Sequence, residues 1–290
     1  MIFLILKMNH VLKILINQKM KTVLITGAGG GIGKLTSLHF AKNNWKVIAT
    51  VLFASEGDDF KNIPNVFCYE MDVTSTESIT LATEKILQKH PKIDTVINNA
   101  GMGYRSFVEL SEDEKIDTIV KVNWLGVVKI CRAFIPTFRA QKYGQFINIT
   151  SVAGLVNLPL GNFYHSTKQA VESFSECMAY ELVNFNISVS TVQFGNAPTS
   201  FQKNVTKCTK TEICSYNKLM DKISHLLEKK SGKNCELPQE IVEKLFSIAE
   251  NPNKNFRRYT IGFDANLMRI LRRFFGYKIF NFIIRKFTLK

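Results

Sequence analysis

Short apolar runs alternate with segments of helical periodicity through the first two thirds of the chain. Six apolar runs predict strands, at residues 21–26, 45–52, 66–71, 93–98, 145–150 and 187–193. Apolar residues at helical spacing predict helices between them, at residues 34–43, 77–89, 112–140 and 162–184. Strands that alternate with helices predict an α/β fold, in which one parallel, doubly wound sheet carries helices on both faces.

A glycine cluster follows the first predicted strand. Residues 26–33 read TGAGGGIG and lead directly into the next predicted helix. Glycine allows a tight turn and a close approach of the backbone to a phosphate, and the free N–H groups of a helix N-terminus bind anions. The strand, the glycines and the helix in this order predict a Rossmann-type dinucleotide site in a single domain. A plain glycine-rich turn is the alternative for this segment taken alone.

The end of the second predicted strand leaves the choice between NAD and NADP open. An acid there would bind the ribose 2′-hydroxyl of NAD, and a basic residue would accept the 2′-phosphate of NADP. The chain has Thr50, Val51 and Leu52, which carry neither charge. Lys34 and Lys61 are the cations that would influence the choice if the fold brings them close.

Five motifs stand in an order that resembles the short-chain dehydrogenase/reductase family over residues 20–265. They are TGAGGGIG at 26–33, NNAG at 98–101, VNWLG at 122–126, Ser151 after the fifth predicted strand, and YHSTK at 164–168. The chain is similar to the compact members of this family, in particular to retinol and steroid dehydrogenases. The resemblance implies an enzyme that interconverts an alcohol and a carbonyl group, with NAD or NADP as cofactor.

The resemblance also implies roles for individual residues. Ser151, Tyr164, Lys168 and Asn123 would form the catalytic set. In it, Tyr164 moves the proton, Ser151 binds the substrate oxygen and Asn123 holds a water. The residues implied in cofactor binding are Thr26, Gly27, Gly31, Ile32, Gly33, Asp72, Val73, Asn99, Ala100, Gly101, Tyr164, Lys168 and Thr199. Asp72 would contact the adenine, although capping of the helix that follows is its alternative role.

The spacing of Tyr164 and Lys168 supports this chemistry. Residues four apart share one face of a helix. A phenol has a pKa near ~10 and is a weak base at neutral pH, but a neighbouring ammonium favours the phenolate and is expected to lower that pKa. A Tyr–Lys pair alone is more often an ordinary surface pair, so the prediction depends on the motifs that accompany it.

The segment after the sixth predicted strand points to the substrate. Residues 197–237 depart from the regular pattern and are predicted to form a helical substrate lid. Phe201, Val205, Tyr216 and Met102 would give it an apolar lining, so the predicted substrate is a lipophilic alcohol or ketone. The alternative function is a non-catalytic nicotinamide-sensing or lipid-binding module on the same fold. The complete catalytic set argues against that alternative.

The C-terminal end of the chain is strongly basic. The formal net charge of the chain is +14, and residues 251–290 contain ten Lys or Arg residues and one acid. Residues 266–290 interleave such cations with Phe, Leu and Ile, which predicts a basic amphipathic helix. Peripheral contact with a membrane is one interpretation of this tail. Packing of its apolar face on the core or on a partner subunit is the other.

The first nineteen residues lie outside the regular pattern. Their apolar runs are interrupted by Lys7, Asn9, His10 and Lys13, so none reaches the ~18 residues of a membrane span. The fold is predicted to begin near Met20, with residues 1–19 as an extension. A loosely attached helix, a later start site and a membrane-surface helix remain open for this extension.

The cysteines and the remaining composition set the expected surroundings. The six cysteines form no CxxC pair and have no His at metal-ligand spacing, so we expect reduced, mostly buried thiols and no metal. A disulfide between Cys208 and Cys214 stays open. We expect a cytoplasmic homodimer or homotetramer, with peripheral membrane association left open. Because no nucleic-acid-binding motif accompanies the positive charge, no nucleic acid is expected as a partner.

Overall fold

The chain folds around one parallel sheet. The computed structural model describes residues 20–195, 197–199, 201, 204–208, 211–231 and 238–288. Within this part of the chain, seven strands pair in the order β3-β2-β1-β4-β6-β7-β9. Their bounds are β1 Thr22–Thr26, β2 Lys46–Val51, β3 Val66–Glu70, β4 Thr95–Asn98, β6 Gly144–Ile149, β7 Ile187–Phe194 and β9 Arg257–Ile261. The Rossmann-type α/β prediction is confirmed.

Helices cover both faces of the sheet. Their bounds are α1 Gly31–Lys42, α2 Thr76–Lys89, α3 Asp113–Val120, α4 Gly126–Gln141, α5 Asn162–Leu182, α6 Cys214–Ser231, α7 Pro238–Glu250 and α8 Phe263–Thr288. Alternate residues of β1 point to opposite faces. Val23 and Ile25 pack in one core with residues of α1 and α7, whereas Leu24 packs in the other with residues of α2, α4 and α5. Full burial of one such side chain contributes about 1.5–3 kcal/mol.

The strand order places the functional edge of the molecule. β1 pairs with β2 on one side and with β4 on the other, and Thr26 lies opposite Thr50 at the strand ends. The order therefore reverses at β1, and the carboxyl ends of β1 and β4 open a crevice between them. Ligands of open α/β sheets bind at such a crevice.

The long helix predicted over residues 112–140 is divided in the structure. α3 and α4 are joined by a π-helical turn at Lys121–Leu125. The apolar spacing continues through the turn, which is why the pattern predicted one helix. A π turn inserts an extra residue into the helical repeat and is frequent at functional sites.

Two short strands that the pattern did not predict join the lid to the core. β5, Tyr104–Arg105, pairs in parallel with β8, Thr206–Lys207. Each is two residues long, too short to show a periodicity. Phe107 and Ile223 are buried in a small apolar cluster on this side, with Tyr216 packed against it. This part of the predicted lid therefore packs against the loop that follows β4.

The C-terminal tail is helical but bent. α8 runs from Phe263 to Thr288 and has a positive φ at Gly276 (59°), where its helical geometry breaks. Phe274 and Phe282 are 73% and 67% exposed, whereas Phe280 is buried. No helix in the described ranges is long and apolar enough to cross a membrane. Division of the chain at residues 20, 266 and 290 stays a prediction, and residues 1–19 lie outside the described residues.

The expectation for the cysteines is partly wrong. Cys208 and Cys214 are both free thiols, so they form no disulfide with each other. Cys131 is buried, but Cys68, Cys177 and Cys214 are exposed. Cys68 lies on β3, an edge strand with solvent on one side, and Cys214 begins α6. Position on a strand or helix does not by itself imply burial, because a strand can lie at a sheet edge and a helix presents one face to solvent.

Candidate active site

The glycine turn has the shape of a phosphate cradle. Gly27 and Gly31 have positive φ values of 62° and 53°, a region that side chains rarely adopt. A Cβ at Gly27 would lie 2.8 Å from the Cα of Ala100, and a Cβ at Gly33 would collide with the carbonyl oxygen of Gly27. The turn thus lies against its neighbours and leaves the N-terminus of α1 accessible. It fits the pyrophosphate of a dinucleotide.

The residues of the NNAG segment hold this turn in place. The Asn99 side-chain amide donates to the carbonyl oxygens of Thr26 (2.9 Å) and Gly27 (3.1 Å). The backbone N–H groups of Asn99 and Ala100 donate to the hydroxyl of Thr26 at 3.0 and 3.1 Å. These bonds tie the ends of β1 and β4 together across the crevice. The structure therefore brings these predicted cofactor residues to one place.

The other predicted cofactor residues are more spread out. Ile32 is buried in the first turn of α1, and Val73 is buried beside Gly126 at the start of α4. Asp72 accepts hydrogen bonds from the backbone and hydroxyl of Thr74 at 2.8 Å. The N-cap of α2 is Ser75, so capping by Asp72 is wrong.

Thr199 lies in the short described stretch after β7. Its backbone N–H donates to Ala197 at 2.8 Å. The contact predicted between Thr199 and the nicotinamide stays a prediction.

Ser151, Tyr164 and Lys168 meet beyond the carboxyl ends of β6 and β7. Ser151 follows β6, and its hydroxyl accepts a hydrogen bond from Ala153 N–H at 3.2 Å. Tyr164 and Lys168 lie on the first turns of α5. The Lys168 ammonium is 5.9 Å from the centre of the Tyr164 ring and donates to Ile149 O at 3.0 Å. The structure therefore assembles the three side chains that the motifs predicted.

Asn123 lies in the π turn, fully buried beneath this set. Its side-chain oxygen accepts from Met102 N–H at 2.8 Å, and its amide donates to Met102 O and to the Thr167 hydroxyl at 2.9 and 3.2 Å. A Cβ at Gly101 would be 3.4 Å from the Asn123 oxygen and 3.6 Å from the Lys168 ammonium. Asn123 thus connects the loop after β4 to α5, directly below Lys168.

The electrostatics of the pair differ from the expectation. Burial raises the pKa of Tyr164 above its ordinary value, while a hydrogen bond from Ser151 and the charge of Arg105 act in the opposite direction. Burial also lowers the pKa of Lys168 to about 8, against a raising effect of Glu172. Lys168 thus loses part of its charge near that pH. The expected lowering of the tyrosine pKa by Lys168 does not appear, and Arg105 is the cation that acts.

Sequence reasoning missed Arg105, on β5. The segment from Gly103 to Ser106 packs against the start of α5, where Ser106 N–H donates to Leu160 O at 3.0 Å. The charge of Arg105 lowers the pKa of both Tyr164 and His165, which also places it on this side. Its position four residues after NNAG is the one available signal, and it is weak.

Glu172, one turn beyond Lys168, was also missed. Its buried carboxylate accepts hydrogen bonds from Thr150, Thr191 and Gln193 and pairs with Arg258 at 3.0 Å. The donors lie on or directly after β6, β7 and β9, so one carboxylate joins α5 to three strands. The spacing of four residues from Lys168 would have placed Glu172 on the same face of the helix, but it would not have indicated which groups Glu172 binds.

The fold and the site together define a class. A Rossmann sheet with a phosphate cradle at its switch point and a Tyr–Lys pair beside it is the arrangement of a nicotinamide-dependent oxidoreductase. The family model described as short chain dehydrogenase matches residues 21–210. The chain belongs to the short-chain dehydrogenase/reductase family, as its motifs predicted. It is an NAD(P)-dependent oxidoreductase that acts on CH–OH groups.

Two curated relatives cover most of the chain. A 3-ketodihydrosphingosine reductase of Bacteroides thetaiotaomicron is 32% identical over 237 residues, which are 81% of this chain and 86% of that protein. The human 17-beta-hydroxysteroid dehydrogenase type 1 is 25% identical over 266 residues, 86% of this chain and 80% of that protein.

Solved structures share the fold. A short-chain dehydrogenase from Streptomyces avermitilis superposes with a TM-score of 0.79 at 22% identity, over 87% of this chain and 91% of that one. A 3-ketoacyl-(acyl-carrier-protein) reductase from Brucella melitensis, complexed with NADH, gives 0.70 at 24% identity over 83% and 96%. An alcohol dehydrogenase from Thermococcus sibiricus, complexed with 5-hydroxy-NADP, gives 0.69 at 23% identity over 84% and 97%.

Proposed function

We propose that this enzyme interconverts a lipophilic alcohol and its carbonyl compound, with Tyr164 as the general acid and base. The observation that carries the proposal is the meeting of Ser151, Tyr164 and Lys168 beyond the carboxyl ends of β6 and β7, with the buried Lys168 ammonium 5.9 Å from the centre of the Tyr164 ring. The nicotinamide cofactor supplies the hydride chemistry when it is bound. The residues proposed to hold it are those of the glycine turn, the NNAG segment, Asp72 and Thr199.

The proton moves at the phenolic oxygen of Tyr164. In reduction, the phenol donates its proton to the substrate oxygen, and in oxidation the phenolate takes the proton back. The Ser151 hydroxyl donates a hydrogen bond to the same substrate oxygen and stabilises the negative charge that develops there. The charge of Arg105 favours the phenolate. Asn123 fixes the loop and helix that bring these groups together.

An apolar surface beside Tyr164 supports a lipophilic substrate. The rings of Tyr164 and Phe201 are 6.1 Å apart, and Gly103 lies against Val205, so that a Cβ there would be 2.7 Å from its side chain. Tyr104 stacks on Phe163 at 5.9 Å on the same side of α5. The two relatives carry the names of a sphingoid and a steroid substrate, which are both lipids. Apolar walls with few polar groups are typical of sites for such molecules.

A substrate panel with matched variants tests the proposal. Straight-chain and ring ketones of increasing size are offered with NADH and with NADPH, and the alcohols with the oxidised cofactors. We expect turnover to rise with apolar size and Tyr164→Phe to reduce kcat by at least about 100-fold. Tyr180→Phe, on the same helix but 68% exposed, serves as the control and should leave kcat unchanged.

The panel also separates the enzyme from its alternative. A nicotinamide sensor on this fold would bind cofactor without turnover, and Tyr164→Phe would then behave like the native chain. Preference for small polar ketones over large apolar ones would contradict the lipophilic substrate alone.

We further propose that the tail contacts a membrane surface peripherally. α8 exposes Phe274 and Phe282 and carries Arg and Lys residues, with no acid after Asp264. Aromatic side chains that insert at the headgroup boundary and cations that attract anionic lipids are the features of interfacial helices. A lipophilic substrate would be reached from the same surface.

Vesicle sedimentation of the full chain tests this contact. We expect sedimentation with phosphatidylserine-containing vesicles, and loss of it when Phe274→Ser and Phe282→Ser are combined. Phe53→Ser, with a side chain that is 61% exposed elsewhere, is the matched control. Unchanged sedimentation of the double variant would contradict the membrane contact. Light scattering compares the size of the double variant with that of the native chain. A smaller particle for the double variant would assign the tail to a subunit interface of the expected homodimer or homotetramer.

A further inference from the structure

A carboxylate lies at the end of β2 although the strand itself ends in uncharged residues. After Val51 the chain enters a 3₁₀ turn over Ala54–Phe60 that folds back toward the strand end. The side chain of Glu56, in this turn, accepts a hydrogen bond from the backbone N–H of Leu52 at 3.0 Å. The turn therefore returns an acid to the position that the strand residues leave without one.

The same carboxylate lies against the glycine turn. A Cβ built on Gly29 would be 2.6 Å from the Cβ of Glu56 and 2.8 Å from its Oε2 atom. Ala28 N–H donates to Thr50 O at 2.9 Å, so the glycine turn and the end of β2 are bonded to each other. The absence of a side chain at Gly29 is what admits Glu56 to this place.

Two cations near this end are already paired with acids. Lys34 is bonded to Asp59, and Lys61 lies 2.9 Å from Asp58. The only positive charges that the sequence offered for a 2′-phosphate are thus neutralised by carboxylates of the 3₁₀ turn.

A second carboxylate reinforces the local negative charge. Glu70, at the end of β3, accepts from Ala54 N–H at 2.9 Å. The two negative charges of Glu56 and Glu70 exceed the one positive charge of Lys85, which lines a cavity with Val51 and Glu70.

We infer that Glu56 accepts a ribose hydroxyl from the adenosine half of the cofactor and that the enzyme prefers NAD(H) to NADP(H). In Rossmann folds an acid at the end of the second strand binds the ribose 2′-hydroxyl. One oxygen of Glu56 is fixed by Leu52, and its other lone pairs are left to accept. A 2′-phosphate adds about two negative charges, which this carboxylate would repel. The inference rests on the cofactor of the family and is independent of the role of Tyr164.

Direct binding measurements test the preference. The full chain is titrated with NADH and with NADPH, and the nicotinamide fluorescence and the quenching of the two tryptophans, Trp45 and Trp124, report the Kd without turnover. We expect NADH to bind at least about tenfold more tightly than NADPH, which corresponds to about 1.4 kcal/mol. Glu56→Gln should narrow this ratio, mainly because NADPH binds more tightly.

Three further variants distinguish the effect of Glu56 on the affinity ratio from the effect of negative charge in general and from any effect on catalysis. Glu84→Gln removes one charge from an exposed position in the middle of α2, outside this turn, and should leave the ratio nearly unchanged. Gly29→Ala, which would displace Glu56, should narrow the ratio as Glu56→Gln does. Tyr164→Phe should keep the native ratio even if it abolishes turnover. Equal or tighter binding of NADPH by the native chain, or the same effect of Glu56→Gln and Glu84→Gln, would overturn the inference.

Discussion

Replacement of Glu172 by alanine is expected to destabilise the fold more than any exposed charge on α5. The side chain of Glu172 is 8% exposed, and its two oxygens accept from Thr191 (2.9 Å), Gln193 (2.8 Å) and Arg258 (3.0 Å), and also from Thr150. Alanine leaves all four donors without this acceptor. It also removes the link between the catalytic helix and the strand that precedes Ser151.

The magnitude follows from the burial of these donors. A buried donor that loses its partner costs about 1–3 kcal/mol, and removal of one member of a buried ion pair costs about 3–5 kcal/mol. Arg258 is 38% exposed and can be rehydrated, so its share is smaller. We therefore expect Glu172→Ala to lower the free energy of unfolding by about 3–5 kcal/mol.

The matched comparison uses the same arginine. Glu176 lies one turn further along α5, pairs with Arg258 as well, and is 36% exposed. Glu176→Ala should therefore cost less than about 1 kcal/mol. Urea unfolding followed by far-UV circular dichroism measures both variants. Equal losses for the two would refute the reasoning that burial, and not the ion pair with Arg258, makes Glu172 structural.

Further predictions concern the buried Lys168 and two glycines near the cofactor crevice. Because the pKa of Lys168 is about 8 in the folded chain and 10.5 ordinarily, the unfolded chain binds this proton first as the pH falls. The free energy of unfolding should therefore rise between pH 8 and 10.5, by up to about 3 kcal/mol, and Lys168→Met should flatten this rise in urea titrations. Gly33→Ala should lower cofactor affinity at least about tenfold in fluorescence titrations, since its Cβ would collide with Gly27 O. Gly101→Ala is the packing control, since its Cβ would meet nothing closer than 3.4 Å. It should leave the unfolding midpoint unchanged, and a large shift of the midpoint would contradict this packing argument.

The sheet and its helices were predictable because they are periodic. The ends of the six predicted strands differ from the observed ones by at most two residues, and the ends of the predicted helices by at most three. Most of the apolar runs are buried on both faces, so the pattern directly reflects the packing there, whereas β3 at the sheet edge is partly exposed. The π turn around Asn123 was invisible to this reasoning, since the apolar spacing continues through it.

The candidate site was predictable where sequence order encodes it. The glycine turn, Ser151, Tyr164 and Lys168 stand in motifs, and the parallel sheet brings strand ends to one edge. Glu56 and Arg105 could not be placed in the same way. Glu56 reaches β2 through a short 3₁₀ turn, and Arg105 reaches Tyr164 from a strand of two residues, so neither position follows from periodicity.

The direction of the pKa shift at Tyr164 also required the structure. Spacing of four predicted that Lys168 would lower this pKa. Burial acts on both groups, raises the pKa of the phenol and lowers that of the ammonium. The burial of these two side chains depends on the loops that pack around α5. The spacing of Tyr164 and Lys168 in the sequence therefore does not predict it.

The pH dependence of kcat/KM in both directions tests the central claim, proton transfer by Tyr164, most directly. Reduction requires the phenol, so its rate should fall as the pH rises through the pKa of Tyr164. Oxidation requires the phenolate, so its rate should rise over the same range. Because the charge of Arg105 lowers this pKa, Arg105→Met should move both profiles to higher pH. Opposed profiles with one shared pKa that shifts in Arg105→Met are the predicted result. Profiles that run in the same direction, or that stay in place in this variant, would contradict the account.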